Sequence, residues 1–206
     1  MKSWSGGATV SRVTVSQPVV ALTFDDGPHP VNTQRLLDIL QKENAKATFY
    51  MVGPNIQSYP SLAQRAVNEG HEIGNHTWNH ANLTRMTDQQ VIEDIDKTDD
   101  VINKVTGIYP STFRAPYGAM TRSQRLWVYE RYKRPTIFWT IDPRDWAYPD
   151  IQQMTQHIIS RASSGDIILL HDIHATTVDA VPGIIKGLKE KGLKFVTVSQ
   201  LMSIAE

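Results

Sequence analysis

The sequence predicts an α/β fold: a single domain in which parallel strands, each followed by a helix, close into a barrel. Short β-branched apolar runs alternate with stretches of helical periodicity along most of the chain. About seven such units fit into 206 residues, which suits a closed barrel better than an open sheet. No low-complexity segment or internal linker divides the chain.

Each expected element has a local reason. Strands are expected at Val19–Phe24, Ala47–Val52, Glu72–Asn75, Thr112–Ala115, Thr136–Ile141, Asp166–Leu170 and Phe195–Val198, short runs bounded by Gly, Pro, Asn or Asp. The first helix follows Asn32 and sets Leu36, Leu37, Ile39 and Leu40 on one face. Thr87 with Gln90 reads as a capping box ahead of Val91, Ile95 and Ile102, and Gly107 ends that helix. Thr121 with Gln124 repeats the pattern. A helix carrying Ile158 and Ile159 is expected to stop near Gly165, and one carrying Val181, Ile184, Ile185 and Leu188 near Gly192. Residues 1–17 are expected to form an N-terminal tail or linker remnant, and 18–206 the folded domain. Met1–Gly7 holds no apolar segment of the secretory kind, so the small polar stretch Ser3–Thr9 reads as a tail or as the stump of a linker behind an upstream signal or anchor.

Composition removes several classes of function. Lys plus Arg (21) equals Asp plus Glu (21), so no net field draws in nucleic acid or an anionic membrane, and no nucleic-acid partner is expected. The absence of cysteine excludes disulfides, thiol catalysis and cysteine-ligated metals. No apolar run approaches the ~18–20 residues of a membrane span. The chain is expected to act as a monomer.

The polar residues that do not fit a core fall at strand ends. Asp25-Asp26 closes the first strand, His76 and His80 follow the third, and Arg114–Tyr117 ends the fourth. Asp142 and Asp145 follow the fifth, and His171-Asp172 ends the sixth. In a parallel barrel the strand C-termini share one rim, so these segments are expected to converge on one mouth. Asp25-Asp26 can serve two jobs only if the chain turns there, and Gly27-Pro28 is expected to supply the turn. The competing reading of this stretch is a solvated turn. His76 and His80, four apart, would share one face of a helical turn; with a carboxylate they make a Zn²⁺ shell with open positions. Arg114 can pair with a carboxylate across the mouth or serve as a structural salt bridge. Trp146 can line the mouth or pack in the core. His171 can act there or be a hydrogen-bonded core histidine.

Together these segments resemble carbohydrate esterase family 4, the polysaccharide deacetylases. All five of the family's motifs occur in order, at Thr23–Pro28, His76–His80, Arg114–Tyr117, Asp142–Trp146 and Leu169–His171, and the likeness runs from about Pro18 to Leu201. The resemblance implies a deformed (β/α)₇ barrel and a metal-dependent hydrolase that removes acetyl groups from N-acetylglucosamine residues of a polysaccharide, peptidoglycan or chitin. It implies that Asp26, His76 and His80 hold Zn²⁺, with Co²⁺ or another divalent ion accepted. Asp25 resembles the general base, held by Arg114, and the backbone N–H of Tyr117 would donate to the oxyanion. His171 resembles the general acid, with Asp145 its expected partner and Asp142 the weaker candidate. Leu169 and Trp146 would wall the acetyl pocket. Trp78, Trp139 and Tyr148 read as sugar-stacking aromatics or, more simply, as packing. The competing functions are an acetylxylan esterase, a barrel hydrolase of small cyclic amides and a non-catalytic sugar-binding barrel. A polymer substrate implies a secreted or envelope location.

Overall fold

A computed structural model of the chain describes residues 7–206. In chain order it comprises β1 (Thr9–Val10), β2 (Val19–Asp25), α1 (Asn32–Lys42), β3 (Thr48–Met51), α2 (Gly53–Ser58), α3 (Pro60–Asn68) and β4 (Glu72–Asn75). Then follow α4 (Asp88–Thr106), α5 (Arg122–Tyr132), β5 (Thr136–Ile137), α6 (Ile151–Arg161), β6 (Ile167–His171), α7 (Ala175–Glu190), β7 (Lys194–Phe195) and α8 (Val198–Ser203).

β2 is the axis of the sheet. All seven of its residues are buried, as expected of a parallel strand covered on both faces. Its later residues pair with β3 on one edge and with β6 on the other, while Val19 and Val20 pair with β7. β3 in turn pairs with β4. Single-residue parallel bridges close the rest of the ring, from Asn75 to Phe113, from Phe113 to Thr136 and from Ile141 to Ile168. The result is the deformed parallel barrel the sequence suggests.

Three strands come out shorter than expected, each for its own reason. The run Thr112–Ala115 narrows to the bridging residue Phe113, with Pro116 next in line and unable to donate to a ladder. Thr136–Ile141 narrows to β5 because the carbonyls of Ile137 and Phe138 turn to accept from the Arg114 guanidinium, both at 3.1 Å. Phe195–Val198 is cut short because Thr197 caps α8 through a capping box with Gln200. α6 ends at Arg161, four residues before Gly165, with Ala162 as its C-cap. Gly165 has φ +88, and a Cβ there would stand 1.9 Å from the Val13 carbonyl. It lets the N-terminal segment approach, and Val13 donates to the Gly165 carbonyl at 3.0 Å.

That approach corrects the expectation of a tail through residue 17. Within the described residues, β1 pairs with β5, and Val10 and Val13 are buried. Apolar contact holds this segment on the barrel. Residues 1–6 of the expected tail lie outside the described residues.

The helices cover the barrel with the apolar faces the periodicity predicts. Leu36, Leu37 and Leu40 of α1 and Val181, Ile184, Ile185 and Leu188 of α7 join one cluster with β2, β3 and β6. Each such fully buried side chain contributes ~1.5–3 kcal/mol relative to exposure. The capping boxes of α4 and α5 form as expected, and Gly107 ends α4 in the left-handed conformation. α2 and α3, each with proline in its first turn, have no counterpart among the expected helices. No helix of the described residues is long and apolar enough to cross a membrane.

Candidate active site

The carboxyl ends of the strands open into one cavity of about 340 Å³, lined by Asp25, Asp26, His76, His80, Tyr117, Trp139, Asp142, Trp146, Leu169, His171 and His174. The expected convergence therefore occurs. Arg114 and Asp145 stand directly behind the lining.

Asp25 is the last residue of β2 and stays in register opposite Tyr50 and His171. Asp26 then adopts φ +81, so the turn begins at Asp26 itself, one residue before the expected Gly27-Pro28. This sends the two neighbouring carboxylates to different tasks. Gly27 has its own reason for lacking a side chain: a Cβ there would lie 2.5 Å from Oδ2 of the buried Asp172.

Arg114 is completely buried, which is rare for a guanidinium. Its Nη1 donates to Asp25 Oδ1 at 2.8 Å and to Thr23 Oγ1 at 2.7 Å, and the carbonyls of Ile137 and Phe138 take its remaining polar edges. The group also stacks 4.3 Å above the Tyr50 ring. Asp25 is thus fixed by a charge-assisted bond inside the barrel, with Oδ2 left 3.6 Å from His76 Nε2.

His76 and His80 do not lie on a helical turn as expected. They flank an irregular loop in which Thr77 and His80 have positive φ, +69 and +50. A non-glycine residue in this conformation costs ~1–2 kcal/mol, so the loop must be held from outside. The imidazole centroids are 5.0 Å apart. Asp26 Oδ1 is 3.2 Å from His76 Nε2 and 3.0 Å from His80 Nε2, and one ligand atom from each residue lies within 4.8 Å of the others. Yet Asp26 Oδ1 is a buried acceptor with no in-line hydrogen bond. His76 Nδ1 faces the Arg114 carbonyl at 2.7 Å, so the proton belongs on Nδ1 and the Nε2 lone pair points at the aspartate. Three electron-pair donors aimed at a shared point fit a divalent cation with two imidazoles and one carboxylate. Burial would raise the Asp26 carboxyl, but the two imidazoles beside it outweigh burial and hold it far below the ordinary value. His76 moves the opposite way: burial disfavours its cation, and the charges of Asp25 and Asp26 outweigh burial and raise its pKa.

Across the cavity, His171 closes β6. Its Nδ1 is 2.8 Å from Asp145 Oδ1, while Asp145 Oδ2 accepts from the His171 backbone and from Thr177 Oγ1, both at 2.8 Å. Asp145 is 1% exposed. Burial lowers the His171 pKa, but Asp145, with help from Asp25 and Asp26, raises it to about 9. Asp142 caps its own turn instead, accepting from the Arg144 N–H at 2.7 Å. Of the two candidate partners, Asp145 is the one that touches His171.

The rim is apolar and open. Leu169 is buried in the cavity floor, whereas Trp146 (57% exposed) and Tyr117 (69% exposed) stand at the edge. Tyr117 adopts φ +62 and sets its ring 4.9 Å from that of His80. Of the three further aromatics, Trp139 lines the cavity, Trp78 packs against Gly53 beneath Lys97, and Tyr148 lies outside it beside Arg144. A larger groove of about 950 Å³ runs on from the cavity, sharing His80 and Tyr117 with it and continuing between the loop of residues 78–86 and α4. Two residues escaped the reading of the sequence. His174 lines the cavity three residues after His171. Asp94, on the apolar face of α4, bonds to the histidine loop; an acid among Val91, Ile95 and Ile102 was the available signal.

Residues 12–137 match the family model described as polysaccharide deacetylase. The chain belongs to this family. It is 39% identical over 192 residues to the peptidoglycan-N-acetylmuramic acid deacetylase PdaC of Bacillus subtilis, covering 93% of this chain and 40% of that relative. The chain thus spans about two fifths of that protein's length. A solved structure of PdaC superposes with a TM-score of 0.86 at 39% identity, covering 92% of each chain. A peptidoglycan-N-acetylglucosamine deacetylase of Bacillus cereus is 38% identical over 200 residues, covering 95% of this chain and 93% of that relative. BA3943 of Bacillus anthracis, described as a CE4 family pseudoenzyme, superposes with a TM-score of 0.89 at 26% identity, covering 96% of this chain and 69% of that one. Proteins with this fold therefore include at least one described as a pseudoenzyme, and activity must be argued from the residues of the cavity.

Proposed function

We propose that the chain is a metal-dependent deacetylase of polysaccharide N-acetylglucosamine, acting on peptidoglycan or chitin-type chains. The observation that carries this reading is the pairing of Asp26, His76 and His80 around one point with a second carboxylate, Asp25, fixed beside it by Arg114. Asp26, His76 and His80 would hold a divalent ion, zinc by its preference for this donor set, which would supply electrophilic polarisation of the acetyl carbonyl and of an attacking water.

The chain's own groups do the rest. Asp25 presents its free Oδ2 to the cavity and takes the proton from the water, while the bond to Arg114 keeps the carboxylate from swinging away. The Tyr117 N–H donates to the oxygen that gains charge, and one such donor is worth ~10²–10³ in rate. Leu169 and Trp146 exclude water around the acetyl methyl. His171, held cationic by Asp145, gives its Nε2 proton to the departing amine. An amine needs that proton more than an alkoxide does, which favours amide over ester cleavage. The groove that continues beyond the cavity offers room for more than the acetylated unit, which suits a polymer rather than a small cyclic amide.

Two of the relatives support the substrate class, since PdaC and the Bacillus cereus protein carry peptidoglycan deacetylase names, although they differ in the sugar named. A cell-wall or chitin polymer places the protein outside the cytoplasm, secreted or at the envelope. Acetate release from chitooligosaccharide, peptidoglycan and acetylated xylan tests the reading. Release from either of the first two is expected. Release from xylan alone would make the protein an esterase, and release from none with intact sugar binding would make it a binding barrel.

A further inference from the structure

The loop that carries His76 and His80 has no secondary structure of its own, and the donors of residues 77–80 all find side chains instead. Thr77 N–H donates to Asn75 Oδ1 at 2.8 Å, and His80 N–H to Thr77 Oγ1 at 3.2 Å. The two at the crown, Trp78 N–H and Asn79 N–H, both donate to Asp94 Oδ2, at 3.2 and 3.0 Å. Asp94 Oδ1 takes the Asn79 amide as well, at 2.6 Å. Asp94 sits in the middle of α4 and is 5% exposed. A carboxylate on the buried face of a helix, with three donors from one loop and no cationic partner among the described residues, is not explained by packing.

We infer that Asp94 is a positioning residue for the metal centre, clamping the loop between the two histidines to α4 so that His76 and His80 are presented to a divalent cation already in place. The inference rests on the reading of Asp26, His76 and His80 as metal ligands. The clamp is anchored one layer deeper. Asn75, which holds Thr77, donates to Asp99 Oδ1 at 2.7 Å and to the Ile95 carbonyl at 2.9 Å. Asp99 is in turn gripped by Arg134, with both its oxygens within 2.9 Å of Nη2. α4 thus meets the loop at both ends, through Asn75 before it and Asp94 across its crown. Thr77 and His80 stay in their left-handed conformations because these bonds leave the loop no other arrangement that satisfies its donors. Without Asp94 the loop relaxes, and metal binding must first reorder it, which weakens affinity.

The test is metal affinity, measured by competition with a chromophoric chelator on folded, metal-stripped full chain, with zinc and cobalt as probes. Asp94→Ala should weaken affinity ~10–100-fold, the usual effect of losing an outer-layer partner. Asp94→Asn keeps one acceptor and should lose less; it also serves if the alanine variant does not fold. Thr98→Val, one turn further along α4, removes a bond from Thr98 Oγ1 to the Asp94 carbonyl without touching the loop, and should bind metal as the wild type does. Wild-type affinity in both folded Asp94 variants would overturn the inference, as would an equal loss in Thr98→Val, which would mean general loosening of the helix. A wild-type protein that takes up no metal would instead overturn the metal-site reading.

Discussion

Replacing Asp145 by Asn removes the buried charge behind His171 while keeping size and shape. The wild-type carboxylate holds His171 at 2.8 Å through Oδ1 and accepts from its backbone N–H through Oδ2. With Asp25 and Asp26 assisting, it raises the imidazole from 6.5 to about 9. That displacement corresponds to roughly 3 kcal/mol of preference for the imidazolium in the folded protein. The folded pKa lies above the unfolded one, so this stabilisation is complete below about pH 6.5 and is lost as pH rises through about 9. In the variant the amide offers no charge, so only the more distant Asp25 and Asp26 oppose burial, and the His171 pKa should fall well below that of the wild type. Imidazole NMR titration of the metal-free protein reads this directly, with the wild-type midpoint near 9 and that of Asp145→Asn clearly lower. The high-pH loss of kcat/KM should move down with it, and the fall in unfolding free energy between pH 6.5 and 9 should flatten. Equal midpoints in the two proteins would refute the assignment of Asp145 as the partner.

Other substitutions separate stability from chemistry. Arg114→Met leaves Asp25 buried without its counter-charge and should cost ~3–5 kcal/mol in urea unfolding; a wild-type midpoint would contradict the buried pair. Gly27→Ala drives a Cβ to within 2.5 Å of Asp172 Oδ2 and should disturb the Asp26 turn, seen as weaker metal uptake; undiminished uptake would show that the turn tolerates a side chain. Thr87→Ala breaks the capping box of α4 and should cost ~1 kcal/mol in thermal unfolding while leaving acetate release unchanged at room temperature.

Much of the architecture was legible because its determinants are local. The apolar run at β2, the capping residues Thr87 and Thr121 and the terminal Gly107 each specify their element within a few positions. The strand ends then had to share a rim, and the ten expected site residues do gather at the cavity or directly behind it. What the sequence did not disclose depends on long-range contact. Arg114 shortens β5 by drawing off two carbonyls from residues more than twenty positions away. The histidine pair has helical spacing yet sits in a loop, because Asp94 and Asn75 supply acceptors that outcompete a helical turn. The segment around Val10 and Val13 looked like a tail because a few valines scattered among small and polar residues give too short an apolar pattern; only the barrel gives them a surface to cover.

The division of labour between the two neighbouring aspartates is open to one comparison: the metal content of wild type, Asp26→Ala and Asp25→Asn after dialysis against zinc. One ion per chain in the wild type and in Asp25→Asn, and none in Asp26→Ala, is the expected result. Full loading of Asp26→Ala, or no ion in the wild type, would contradict it.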